Sequence, residues 1–157
     1  MKKILVIGGG AMGSAFTIPC IENKNIVTIT EPYSNTFIKD LSSKNKFHSA
    51  LKIKLPKKLI FKKFNKDLLK KKFDLIVIAL SLSGINFIGK ELKNFKIKTP
   101  ILVLTKGLKY EKKSNKILTI SEQLKKNYSG MNISVLKGPC LAKELARKNQ
   151  TSVVIAN

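Results

Sequence analysis

A few short stretches of this chain carry residue types at spacings that could do chemistry. Gly8-Gly9-Gly10-Ala11-Met12-Gly13 fits G-x-G-x-x-G. In that pattern Gly8 permits a tight turn, Gly10 lets a pyrophosphate come close to the backbone, and Gly13 lets a helix pack against the strand before it. The start of that helix would turn unpaired N–H groups and the positive end of its dipole toward the phosphates. Glu31 follows 23 residues after Gly8. A carboxylate there can accept hydrogen bonds from ribose hydroxyls, and it would repel a 2′-phosphate, so taken alone it favours NAD over NADP. Pro32 beside it leaves open a second reading as a solvated turn residue, and Lys39, Lys44 and Lys46 lie near enough in sequence to blunt the discrimination. Thr105-Lys106-Gly107 and Gly138-Pro139-Cys140-Leu141-Ala142 both fall where a strand is predicted to end. Lys106 there could meet a phosphate or polarise a carbonyl oxygen, or be one more surface lysine. His48, the single histidine, is placed in a loop remote from these turns and is not expected to act as an acid. Cys20 and Cys140 lack a partner base and metal-ligand spacing, so neither a nucleophile nor a metal site is expected.

These turns need elements to hold them, and the apolar pattern supplies candidates. Short β-branched runs at Ile4–Ile7, Ile26–Thr30, Leu59–Phe61, Asp74–Leu80, Ile101–Leu104, Asn132–Leu136 and Thr151–Ala156 read as strands. Helices are predicted over Ala11–Asn23, with Pro19 kinking or ending it early, and from a Ser34 cap to about Ser43. Others follow over Asn65–Lys72, Leu82–Asn94, Ser114–Asn127 and from Gly138 to about Lys148. Lys44–Lys58 reads as irregular. Strand–helix alternation of this kind predicts an α/β, Rossmann-type doubly wound, mostly parallel sheet with helices on both faces, forming a single domain over 1–157.

Composition bounds the partners. The chain has 157 residues and a net charge of +22, from 31 basic against nine acidic residues. Such a charge suggests an anionic polymer, yet Arg147 is the only arginine, and base-edge and bidentate phosphate recognition favour Arg. Twelve Asn accompany the Lys, as AT-rich coding DNA would produce, so the expectation is no nucleic acid, although phosphorylated ligands would be attracted. No apolar run reaches the ~18 residues of a membrane span. The apolar start is interrupted by glycines and closed by no cleavage site, so a cytoplasmic location is expected.

Taken together, Gly8–Gly13, Thr105-Lys106-Gly107, Gly138-Pro139-Cys140-Leu141-Ala142-Lys143-Glu144-Leu145-Ala146 and Thr151–Ala156 resemble the cofactor domain of NAD(P)-dependent glycerol-3-phosphate dehydrogenase. That family carries a Gly-Pro-Ser/Thr-Phe-Ala-x-Glu-like block followed by a Thr-x-Val strand, and the likeness covers the chain in matching order. The resemblance implies a dinucleotide, NAD or alternatively NADP, held by Gly8, Gly10, Gly13 and the backbone of Ala11 and Met12. It puts Glu31 beside the adenosine ribose, Lys106 between nicotinamide and substrate, Gly138 and Cys140 at the substrate, and Ala142 against the cofactor. Dihydroxyacetone phosphate and sn-glycerol 3-phosphate are the implied substrate and product, serving phospholipid synthesis. Three departures stand out: Cys140 replaces a Ser or Thr, Leu80-Ser81 replaces Pro-Ser, and Glu31 stands where members using NADPH often have Arg or His. The family's helical second domain, with its proton-transferring Lys and Asp and its phosphate ligands, is expected to be absent from 1–157. The chain alone is then expected to be inactive, and any homo-oligomer to form through that domain. A stand-alone dinucleotide-binding module, the cofactor domain of a ketopantoate or other hydroxy-acid reductase, and a basic nucleic-acid binder are the competing readings.

Overall fold

Ile4–Ile7 are buried without a break, as they must be if a strand is covered on both faces. They form most of β1 (Lys3–Ile7) in the computed structural model, which describes residues 1–157 other than Lys44, Lys113, Tyr128 and Ser129 and the side chains of Asn35 and Asn127. The chain continues through α1 (Ala11–Glu22), β2 (Ile26–Thr30), α2 (Asn35–Ser42), β3 (Phe47–His48), β4 (Ile53–Lys54) and β5 (Ile60–Phe61). A 3₁₀ turn at Lys66–Lys70 leads to β6 (Leu75–Ile78), α3 (Gly84–Asn94), β7 (Ile101–Val103), β8 (Leu108–Glu111) and β9 (Lys116–Thr119). The last elements are α4 (Ile120–Asn127), β10 (Ile133–Lys137), α5 (Ala142–Ala146) and β11 (Val154–Ala156).

Seven strands form the main sheet in the order β5-β2-β1-β6-β7-β10-β11, parallel except for β11. Counted along the chain within this sheet, the first six run 3-2-1-4-5-6, the doubly wound order whose direction reverses between β1 and β6. Alternate side chains feed two cores. Leu5, Ile7, Ile76, Ile78, Ile101 and Val103 pack with Ile85, Ile88 and Leu92 of α3 and Leu124 of α4. Ile4, Val6, Val27, Ile29, Val77 and Leu102 pack with Met12 and Phe16 of α1.

The predicted fold class holds, and five local expectations need correction. Of the two outcomes expected at Pro19, a kink or an early end, the early end does not occur, and α1 runs on to Glu22. Proline removes one helical N–H there, and the last turn is secured by Asn23, whose backbone N–H and side-chain amide both donate to the Pro19 carbonyl. Ser114–Asn127 is not one helix. Its first part is β9, paired antiparallel with β8, and α4 starts only after Thr119, whose N–H and hydroxyl donate to the Glu122 carboxylate at 2.7 and 2.8 Å. The Glu122 N–H returns to the Thr119 hydroxyl, closing a capping box. Lys44–Lys58 contains a hairpin, with His48 opposite Ile53. Asn65–Lys72 yields only the 3₁₀ turn. The helix after Gly138 is short because Gly138 (φ 126°) and Pro139 form a bend and Leu141 is still extended at the N-cap, so α5 begins only at Ala142.

Lysine also occupies positions where physics favours glycine. Lys24, Lys96 and Lys148 follow α1, α3 and α5 with φ of 60°, 48° and 62°. In each case the following residue donates five residues back, for example the Ile97 N–H to the Leu92 carbonyl, and the lysine N–H donates to the residue three before it. These are Schellman ends, where the left-handed residue is ordinarily Gly. Lysine excess that reaches even these positions is a property of the whole chain and not of one anion-facing surface. Lys96→Gly should raise stability by about 0.5–1 kcal/mol, relief of left-handed strain exceeding the added unfolded-state entropy. Urea unfolding showing no gain would contradict this strain.

Candidate functional site

The crevice opens where the strand order reverses, above the carboxyl ends of β1, β2, β6 and β7. The turn after β1 is held down by backbone bonds on both sides: Gly8 N–H donates to Thr30 O and Ala79 N–H to Ile7 O, each at 2.8 Å. Gly8 has φ 118°, and a Cβ there would overlap the Ala79 carbonyl oxygen. A Cβ on Gly13 would overlap the Gly8 carbonyl oxygen and stand 3.0 Å from the Ala79 Cβ, while one on Gly9 would lie 2.6 Å from the Phe37 ring. Gly10 differs, for a Cβ there would meet nothing within 4 Å. Three glycines are thus demanded by the protein's own packing, and Gly10 faces open space at the start of α1. That helix receives no side-chain cap and has no acidic residue in its first turn, so its positive end is left to solvent or a ligand.

Two depressions flank the turn. One, of about 270 Å³, is lined by Gly10, Glu31, Tyr33, Ser34 and Phe37. The other, of about 170 Å³, is lined by Met12, Ala79, Leu80, Leu104, Thr105 and Lys106. Glu31, at the end of β2, accepts from Gly9 N–H at 2.8 Å through Oε2 and from Tyr33 N–H at 3.1 Å through Oε1. It therefore braces the glycine turn while lining the first depression. Of the lysines expected near it, Lys46 is committed elsewhere, donating to Lys57 O at 2.7 Å and lying 5.4 Å from the centre of the Phe61 ring. Lys39 is exposed on α2, and Lys44 lies outside the described residues.

At the second depression, the buried Thr105 donates its hydroxyl to Leu80 O at 2.8 Å, tying the end of β7 to the segment after β6. Lys106 Nζ lies 3.5 Å from Gly138 O, so these two expected site residues come together. Lys137 reaches back from β10 to donate to Thr105 O at 3.0 Å. Partial burial, and then the charge of Lys106, hold the Lys137 ammonium below its ordinary pKa. Sequence reasoning missed this second lysine, although its place directly before Gly138 at a strand end was the available signal. Cys140 does not join this group. It is buried and lines a separate, largely apolar cavity of about 200 Å³ with Phe16, Leu136, Leu145 and Val153. Ala142 opens α5 and packs, as Ala11 does, against the small cluster that Ala15 and Ile18 of α1 form with Ala146. Leu80 is buried at the Lys106 depression, and the Ser81 hydroxyl pairs with that of Ser83.

His48 overturns its expected placement. The β3–β4 hairpin brings it beneath the glycine turn, 2% exposed, with Nε2 3.2 Å from Gly9 O. Burial pushes the Cys20 thiol up to about 11, which makes it a poor nucleophile. Among the described residues no group of three His, Cys, Asp or Glu could hold a metal ion, and no helix is long and apolar enough to cross a membrane.

A glycine turn at a doubly wound switch point, flanked by depressions on both sides, defines a dinucleotide-binding type of domain. Residues 3–157 match the model of the NAD-dependent glycerol-3-phosphate dehydrogenase N-terminus, and the chain belongs to that family. It is 33% identical over 158 residues to a glycerol-3-phosphate dehydrogenase (NAD(P)+) of Rickettsia typhi, covering 99% of this chain and 48% of that protein. It is 26% identical over 157 residues to an NADP(+)-dependent glycerol-3-phosphate dehydrogenase of Archaeoglobus fulgidus, covering 98% and 46%. The fold matches a Plasmodium falciparum glycerol-3-phosphate dehydrogenase structure with a TM-score of 0.79 at 20% identity, covering 98% of this chain and 45% of that one. The chain spans about half the length of the curated relatives it matches.

The glycines separate folding from binding. Gly13→Ala should cost more than about 3 kcal/mol, because its Cβ meets backbone that cannot give way. Gly10→Ala should stay within about 1 kcal/mol of the parent, the modest loss of an alanine at a helix N-cap. Equal losses in thermal or urea unfolding would contradict the assignment of Gly10 to open space.

Proposed function

We propose that this chain is the dinucleotide-holding part of a glycerol-3-phosphate dehydrogenase, interconverting dihydroxyacetone phosphate and sn-glycerol 3-phosphate. The observation that carries the reading is the glycine turn between two depressions, with Gly10 alone presenting open space. A two-ended ligand would lay its pyrophosphate over Gly10 and the N–H groups of Ala11 and Met12, its adenosine ribose toward Glu31, and its nicotinamide toward Lys106. Gly8 and Gly13 support that site from below. The residues present fit such a group, since the cradle is empty of side chains and the helix end carries no competing carboxylate. When bound, the reduced nicotinamide supplies the hydride that the substrate's C2 takes up, giving a precursor of glycerophospholipids.

Lys106 would polarise the substrate carbonyl or meet its phosphate, with Gly138 beside it and Lys137 adding positive potential to the same edge. Ala142 would support the cofactor side through the cluster that joins α5 to the first turns of α1. Cys140 would influence the substrate through the apolar wall it shares with Leu136 rather than by an exposed thiol. The proton donor, the principal phosphate ligands and any homo-oligomer contact belong, on this proposal, to the portion of the relatives outside the matched half. The cytoplasm is the proposed location, where Cys20 and Cys140 would stay reduced.

Titration of NADH and NADPH by nicotinamide fluorescence tests the reading. Saturable NADH binding is expected, weakened by at least about tenfold in Gly10→Val, a loss of ~1.4 kcal/mol or more. Glu31→Ala should narrow the ratio of NADH to NADPH affinity. Binding that Gly10→Val leaves unchanged would remove the turn from the site, and a Glu31→Ala ratio that does not move would remove Glu31 from ribose recognition.

A further inference from the structure

We infer that His48 is a positioning residue for the dinucleotide turn, acting through the carbonyl of Gly9. The inference rests on the reading of that turn as a dinucleotide site. Three consecutive glycines have the widest backbone freedom available to a chain, so Gly8–Gly10 cannot by themselves hold one arrangement of N–H groups toward a ligand. The structure supplies two clamps. At the Gly8–Gly9 peptide, the Gly9 N–H is held by the Glu31 carboxylate at 2.8 Å. At the Gly9–Gly10 peptide, the Gly9 carbonyl accepts from the Ser14 hydroxyl at 2.8 Å and faces His48 Nε2 at 3.2 Å.

All described peptide bonds are trans, and a trans peptide points its C=O and N–H in opposite directions across one plane. Drawing the Gly9 carbonyl inward toward Ser14 and His48 therefore turns the Gly10 N–H away from them, toward the open side where a Cβ on Gly10 would meet nothing. Together with the Ser14 hydroxyl, the imidazole sets the direction of a donor on the next residue.

The histidine is built for that contact. A carbonyl only accepts, so Nε2 must carry the ring hydrogen. Nδ1 must then accept, and it faces the Leu51 N–H at 3.3 Å. Its ring stands edge-on to Phe37, centroids 5.7 Å apart at 80°, and Phe37 is the side chain that Gly9 must be glycine to clear. His48 and Leu51 are 2% and 1% exposed, so this is a buried polar contact 39 residues from Gly9 in sequence. The β3–β4 hairpin carries it there.

Two substitutions divide the ring's contacts. The amide nitrogen of Gln can reach the place of Nε2 and keep the donor to Gly9, whereas Asn stops at the place of Nδ1, keeping an acceptor for Leu51 and losing Gly9. NADH affinity of the full chain, by nicotinamide fluorescence, should fall about tenfold in His48→Asn and stay within about threefold in His48→Gln. Amide exchange at Gly10 should quicken in His48→Asn only. Equal affinities in the two variants, with the parent chain binding NADH, would overturn the role of His48 alone. A parent chain that binds no NADH would overturn the dinucleotide reading and this role with it. Should His48→Asn fail to fold, imidazole ¹⁵N shifts of the parent decide. Hydrogen on Nε2, with shifts that move on adding NADH, supports the role, and hydrogen on Nδ1 overturns it.

Discussion

The orientation of two peptide planes, Gly8–Gly9 and Gly9–Gly10, is the constraint on which the rest of this structure depends. A backbone that must leave a strand, turn within three residues and present donors rather than side chains has to be glycine. A glycine segment has to be held from outside, because it has nothing of its own to hold with. The surrounding elements do this from four sides. The Ala79 carbonyl closes over Gly8, Phe37 of α2 closes over Gly9, Ser14 reaches back from α1, and His48 comes up from the small hairpin. Glu31 joins β2 to the same turn through the Gly9 N–H. The parallel register of β1 with β2 and β6, with Ile7 beside Thr30 and Ile78, brings these partners to one level.

Charge plays a different part from the one its size suggests. A net charge of +22 would ordinarily direct attention to a polyanion. Yet lysine fills even the exposed left-handed positions after α1, α3 and α5, where glycine is the ordinary choice. What matters locally is where two lysines meet. Lys106 and Lys137 each reach across to the other's strand end, toward Gly138 O and Thr105 O. They strap β7 to β10 while placing two cations at the carboxyl edge. The general excess raises the potential everywhere, whereas this pair raises it at the crevice.

Much of the fold was legible because parallel strands buried on both faces leave unbroken β-branched runs, as at Ile26–Thr30 and Leu75–Ile78. The glycine turn was legible because its spacing is fixed by steric contacts that only glycine survives. The β8–β9 hairpin was hidden because Lys116–Thr119 merges in periodicity with α4, and only the Thr119–Glu122 capping box separates them. The short β3–β4 hairpin carries too few apolar residues to announce itself, and with it went the placement of His48, a contact across 39 residues. The inward turn of Cys140 depends on how far the backbone after Gly138 runs before α5 begins, which residue types alone do not determine. The family was readable because its motifs combine three strand-end turns with the helix and strand that follow Gly138.

The central claim is that donors on the Gly10–Met12 backbone, and not the lysine-rich surface, receive the dinucleotide. Titrating the ¹⁵N-labelled chain with NADH while following its amide resonances tests it most directly. The account expects saturable shifts at Gly10, Ala11 and Met12, with smaller ones near Glu31 and Lys106, surviving moderate salt. Shifts that spread over exposed lysines, leave Gly10–Met12 unmoved and vanish as salt is raised would contradict it.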